Sequence, residues 1–300
     1  MFLISFVTQK NIIEVQKNIF FLFRFVLWLI IVIGPGAYGW EYYITPYQER
    51  AFMDLHQTLK PTGLIGHGYG IIGSLFIMIG VLSYSLRKRI KFMKNWGKLR
   101  NWLTFHIFLC TSGPALVVWH TTFKFNGIVA ISFWSMVIVV LSGILGRYVY
   151  NRIPKTEDGH FRTVKFIESD QLNLRTQINQ LVKLNEQQES LLGLQTMALR
   201  FKSPWFALGT AIKFDISGVL NWRRDQKVLQ GVSINSGDKS GLLKLLKSYR
   251  WRTRQVFLIE PLQKIFTYWH IFHIPLATIM FIILAVHVAV AIVFGFTWIF

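Results

Sequence analysis

Cysteine is almost absent from this chain: the one residue, Cys110, lies inside a long apolar run. A single thiol excludes covalent c-type haem attachment, all-cysteine iron–sulfur clusters and disulfides within the chain. Acidic side chains are also scarce, 14 Asp and Glu against 33 Lys and Arg, giving a net charge of +19 over 300 residues. A phosphate-binding loop, a dinucleotide glycine fingerprint and any internal repeat are missing too, which argues against the common nucleotide-dependent classes. In a soluble protein so large a basic excess would point to nucleic acid. Here the basic residues flank apolar runs, so they read as topology signals and as attraction to anionic membrane lipid, with no nucleic-acid partner.

Apolar residues are what the chain has in abundance: 52% are hydrophobic, with a mean hydropathy of +0.39. Apolar runs of about 20 residues with few charges read as membrane spans. Five occur, at 19–40, 62–86, 101–123, 127–150 and 266–297. Trp40, Trp102, Trp119, Trp269 and Trp298 lie near their ends, where amphipathic rings prefer to sit. The first run is long, carries Arg24 and ends in Gly34-Pro35-Gly36 without a small-residue cleavage site. It therefore reads as a retained helix and not as a signal peptide. The expected fold is all-α: an integral membrane bundle of five transmembrane helices with a helical cytoplasmic insertion. Residues 1–150 form a four-span region, 151–265 the insertion and 266–300 the fifth span.

Loop charges set the expected orientation. Residues 41–61 hold three acids and two bases, whereas the loop after the second run carries Arg87, Lys88, Arg89, Lys91, Lys94, Lys98 and Arg100 with no acid. Residues 151–265 hold 19 basic and 10 acidic residues. The positive-inside rule then puts the N-terminus in the cytoplasm and the C-terminus outside, in a bacterial cytoplasmic membrane. Within the insertion, 168–200 reads as a helix ended near Pro204. The basic amphipathic stretch 240–256 reads as lying on the membrane face.

Histidines carry the chemistry. Four of the eight form a pattern, since 120 − 106 = 14 and 287 − 273 = 14. At about 100° per residue, fourteen steps fall only about 40° short of four turns, so each pair shares a helix face. Each pair is separated along its axis by roughly 21 Å. The third and fifth spans run in the same direction, so His106 lies at the depth of His273 and His120 at that of His287. Each pair can offer an iron two axial imidazoles, giving an inner site (His106, His273) and an outer site (His120, His287) for two b-type haems. His270 is turned about 100° off the shared face and reads as a propionate, quinone or interface contact. Gly113, midway along the His106–His120 face, and the stripe Gly66, Gly73 and Gly80 are expected to leave room for macrocycles. The other reading of the stripe is small-residue helix packing. His67 and Tyr69, at the outer end of the second run, are candidates for a quinone contact. His56 sits beside Asp54 in the outer loop, and His160, in the insertion, has no assigned role.

The paired histidines on two parallel helices resemble cytochrome b of the quinol–cytochrome c oxidoreductases, where the same arrangement holds two haems. The likeness stops short of that family's quinol site, because no Pro-Glu-Trp-Tyr motif is present. Three stretches resemble bacterial cytochrome b-like membrane proteins: Phe105-His106 through Gly113-Pro114 to Phe125, Ser142-Gly143 through Gly146-Arg147-Tyr148, and Trp269-His270 through His273 to His287. That likeness implies exchange of electrons between the quinone pool and a partner redox subunit, a multihaem cytochrome or an iron–sulfur protein. A similar histidine pattern on third and fifth spans occurs in ferric reductase and NADPH oxidase membrane domains, where flavin and nicotinamide domains are appended. In this chain a flavin would have to sit on another subunit. The expected function is transmembrane electron transfer as the cytochrome b subunit of a respiratory complex. The alternatives are a ferric-reductase-like subunit fed by a flavoprotein, and a membrane anchor that haem merely stabilises.

Overall fold

The computed structural model describes residues 2–127, 129–154, 162–182, 189, 194, 203–213 and 236–295. The described residues form an all-α protein, with five helices long and apolar enough to cross a membrane. α1 (Phe2–Tyr38) is followed by the short α2 (Trp40–Ile44) and α3 (His56–Leu59). The long α4 (Leu64–Arg89), α5 (Leu99–His120) and α6 (Val129–Arg152) come next. α7 (Val164–Leu181), α8 (204–213) and α9 (Ser236–Val293) complete the order. The candidate spans are Ile19–Tyr38, His56–Arg89, Leu99–His120, Val129–Arg152 and Ser240–Val293. α4 ends on Arg87, Lys88 and Arg89, cations placed where the helix dipole is negative.

By contacts the chain forms two units, Met1–Val140 with Leu276–Phe300, and Leu141–Pro275. In the first unit, α4 packs along α5 through small residues. A Cβ added at Gly73 would lie 2.7 Å from the Gly113 carbonyl, and one at Gly113 would lie 2.6 Å from the Gly73 carbonyl. Small residues let helix backbones approach this closely where lipid offers no hydrophobic drive to association. α1 is tied to α5 by Trp28 Nε1 to Thr111 Oγ1 (3.1 Å) and by Trp119 Nε1 to the Val32 carbonyl (2.8 Å). The Trp119 ring sits against the bare Gly36. Ile77, Phe133, Met136 and Met280 form one buried cluster. Tyr42, Tyr43 and Leu59 form another, with Tyr69 and Trp119 packed on it.

The second unit differs from expectation in two ways. The helix expected over 168–200 starts at Val164 and ends at Leu181, because Val182 is extended (φ −152°, ψ 134°). Most of 183–202 lies outside the described residues. The stretch 240–256 is not a separate surface helix but the opening of α9, which runs unbroken into the fifth span through Pro261 and Pro275. Leu242 and Leu246 have no exposed surface and pack with Ile178, Val182, Leu194 and Tyr249. Leucines that expectation gave to lipid are thus buried by protein. Arg252 of this basic face pairs with Asp170 of α7 (3.3 Å), which Arg162, just before α7, also meets (3.5 Å). α9 is 58 residues long, about 87 Å at 1.5 Å per residue, while a bilayer core is about 30 Å thick. Only its part beyond Lys264, which carries no charged residue, has the composition of a span.

Candidate functional site

α5 presents His106 and His120 toward α4. His106 Nδ1 lies 3.0 Å from the Gly80 carbonyl, and His120 Nδ1 lies 2.8 Å from the Gly66 carbonyl. The two acceptors are themselves fourteen residues apart (80 − 66 = 14), so antiparallel α4 repeats the histidine spacing of α5. A carbonyl can only accept, so each Nδ1 carries the proton and each Nε2 keeps its lone pair. Metal-bound imidazoles are oriented in this way by their outer-sphere partners. Cys110 Sγ lies 3.6 Å from His106 Nδ1, and Tyr84 is tilted against His106 with ring centres 5.5 Å apart.

The glycines admit these contacts. A Cβ at Gly70 would meet His120 Nδ1 at 2.8 Å, and one at Gly80 would meet Cys110 Sγ and Leu109 Cβ at 3.0 Å. A Cβ at Gly66 would run into the Lys60 and Leu59 carbonyls of the chain leading into α4. These contacts are what Gly66, Gly73 and Gly113, expected to leave space for macrocycles, meet in the protein. Their bare faces are filled by neighbouring backbone and side chains, and α4 and α5 close on each other. The packing reading of the stripe is the one the contacts support.

At the other end of α5, the His67 and His120 rings are edge to face, 6.2 Å between centres. His287 and His67 both lie near enough to His120 to influence it electrostatically, and His67 does the same to His287. The first unit thus gathers His67, His120 and His287. Among the described residues no group of three or more His, Cys, Asp or Glu is arranged to hold a metal ion by itself. Tyr69 does not join this group. It is two residues from His67, about 200° round the helix, and packs with Tyr42, Tyr43 and Leu59.

In the second unit, Ser142 Oγ lies 2.6 Å from His273 Nδ1, and the Ser142 carbonyl accepts Trp269 Nε1 at 2.7 Å. Trp269 lies over His273 with ring centres 4.8 Å apart and presses on the bare Gly146. A Cβ at Gly143 would meet His273 Cε1 at 3.8 Å, an ordinary contact. His270 Nδ1 donates to the Phe266 carbonyl of its own helix at 3.0 Å. Elsewhere, Tyr42 Oη lies 3.2 Å from His56 Nδ1. Burial raises the Tyr43 phenol above its ordinary range, helped by Tyr69 and Tyr42 and opposed by Arg50. Tyr42 is raised by burial as well. His160 lies outside the described residues.

Sequence reasoning assigned no role to Gly70 or Ser142, placed Trp269 only among the rings near span ends, and gave Gly80 no part as an acceptor. One signal was available: the fourteen-residue interval between Gly66 and Gly80. Together these features define a class: an all-helical protein with five candidate membrane spans, two of which each carry a pair of histidines fourteen residues apart on one face. No protein-family model, curated protein or solved structure matches the chain.

Proposed function

We infer that the chain moves electrons across a membrane through two b-type haems, each bound by one imidazole from α5 and one from α9. His106 and His273 serve the inner haem, and His120 and His287 the outer one. The observation that carries this reading is the pair of contacts between Nδ1 of the α5 histidines and glycine carbonyls of α4. Both direct Nδ1–H at a glycine carbonyl at matching intervals, which leaves Nε2 to meet a metal. His273 is held at the same nitrogen by Ser142. When bound, haem would supply a one-electron iron couple suited to electron transfer, and these four imidazoles are the groups that would hold it. The protein residues orient the imidazoles and keep water away. Each Nε2 lies across its ring from the α4 carbonyl that Nδ1 meets, and a macrocycle would be held from that side of the imidazole.

The same reading makes the chain the membrane subunit of a respiratory complex in a bacterial cytoplasmic membrane, N-terminus inside, exchanging electrons with quinone and a partner redox protein. His67, beside His120, is the favoured quinone contact over Tyr69, which packs elsewhere. Purified protein is expected to hold two non-covalent haems per chain that acidic acetone extracts. They should be reducible and show the visible spectrum of low-spin bis-imidazole iron. A ratio near one, or haem that resists extraction, overturns the assignment.

A further inference from the structure

Arg50, in the loop between α2 and α3, is only 7% exposed. Its Nε donates to the Thr45 carbonyl, Nη1 to the Thr122 carbonyl and Nη2 to the Tyr43 carbonyl, each at 2.8 Å. Its guanidinium also lies over the Tyr42 ring, 5.3 Å from the centre. None of the ion pairs among the described residues involves it. Burying a guanidinium without a carboxylate is costly, and this one is held by carbonyls alone.

The contacts converge on the end of α5. Thr122 and Phe123 have φ of 49° and 64°, a left-handed conformation that a β-branched threonine rarely adopts. Arg50 bonds the carbonyl of the first of them, two residues beyond His120. The Tyr43 carbonyl takes a second bond, and the Tyr43 ring packs on Trp119 at 4.8 Å. Trp119 and Thr122, which flank His120, are therefore both tied to one buried cation.

We propose that Arg50 is a positioning residue for His120 and a fixed positive charge that raises the reduction potential of the outer haem above its value without that charge. This rests on the two-haem reading above. Arginine stays protonated at any working pH. A cation held in a medium of low dielectric favours the reduced state, which carries one less positive charge.

The test is a redox titration of both haems, followed by visible absorption, in the full-length protein and its Arg50→Gln and Arg50→Lys variants. The outer haem is identified as the one missing from His120→Ala. In Arg50→Gln the outer haem should titrate at lower potential and the inner haem should not move. Arg50→Lys should keep the parent potential. Its outer low-spin ferric signal in electron paramagnetic resonance should nonetheless shift, because one ammonium cannot replace three nitrogens fixed on three carbonyls. Two haems bound in Arg50→Gln with the outer potential unmoved, or with both potentials moved alike, overturns the proposal alone. Should Arg50→Gln lose its outer haem, Arg50→Lys decides: a haem kept at the parent potential supports the charge role, and one lost or shifted downward overturns it. A parent protein with fewer than two haems overturns the two-haem reading, and this proposal with it.

Discussion

A neutral histidine whose Nδ1–H donates to a backbone carbonyl keeps its one lone pair on Nε2, and in this chain that contact recurs at both ends of one helix. On the two-haem reading, removing an imidazole removes one iron–nitrogen bond and frees one macrocycle. His120→Ala and His287→Ala should then each lose the outer haem, and His106→Ala and His273→Ala the inner one, by haem-to-protein ratio. His270→Ala should keep both, because its ring is bonded within its own helix at Phe266. Loss of the inner haem in His270→Ala with retention in His273→Ala would reverse the choice in α9. Tyr43 makes a different residue-scale prediction. Its hydroxyl is buried without a hydrogen-bond partner among the described residues, so Tyr43→Phe removes no bond seen there. Its phenol is raised in the folded protein, so the fold holds that proton more tightly than the unfolded chain does. This contribution to stability is complete below the unfolded value of about 10 and is lost as pH rises through the folded one. Tyr43→Phe should abolish the latest phase of tyrosinate absorbance in an alkaline titration and should stay folded to higher pH than the parent.

Between elements, the α4–α5 contact decides how firmly those imidazoles are held. At Gly73 and Gly113 the obstacle to a side chain is carbonyl oxygen of the facing helix, which cannot swing aside as a side-chain end can. Gly73→Ala or Gly113→Ala should cost about 1–3 kcal/mol or more by overpacking. Either should lower the thermal midpoint of the protein in detergent. Either should also weaken haem retention, because parting the helices lengthens both histidine–carbonyl bonds. Gly143→Ala, with only an ordinary contact at 3.8 Å, should change the midpoint little and serves as the control. These same contacts show what could be read from sequence. Five apolar runs at span length carry their own signal, because hydropathy over about 20 residues is a local property. Equal histidine intervals on α5 and α9 are legible for the same reason, since helical phase follows from counting. The purpose of the glycines was not legible, because whether a bare face meets a cofactor or another backbone depends on the partner helix. Ser142 was hidden likewise, 131 residues from His273. The opening of α9 looked like a lipid-facing amphipathic helix because its leucines alternate with lysines and arginines. Its partners Ile178 and Leu194 are distant in sequence, and periodicity cannot say whether lipid or protein covers an apolar stripe.

At the scale of the whole chain, a net charge of +19 is distributed unevenly, and that asymmetry carries the orientation. The loop between α4 and α5 gathers seven basic residues from Arg87 to Arg100 without an acid, whereas residues 41–61 hold three acids and two bases. Retaining Lys and Arg on the cytoplasmic side is the strongest general bias on membrane topology. On the proposed orientation the first of these loops lies inside and the second, with Gln48, outside. The same proposal would put His106, near the start of α5, close to the inner face and His120, the last residue of α5, close to the outer. Lys94 and Gln48 are both exposed, so a cysteine at either should be reached from one side only. The native Cys110 is only partly buried and is best replaced by alanine in both variants. In sealed cells a membrane-impermeant maleimide should label Gln48→Cys and leave Lys94→Cys untouched until the cytoplasmic face is opened. The opposite result would exchange the inner and outer haems, place Arg50 on the cytoplasmic side and move the quinone contact at His67 to that side with it.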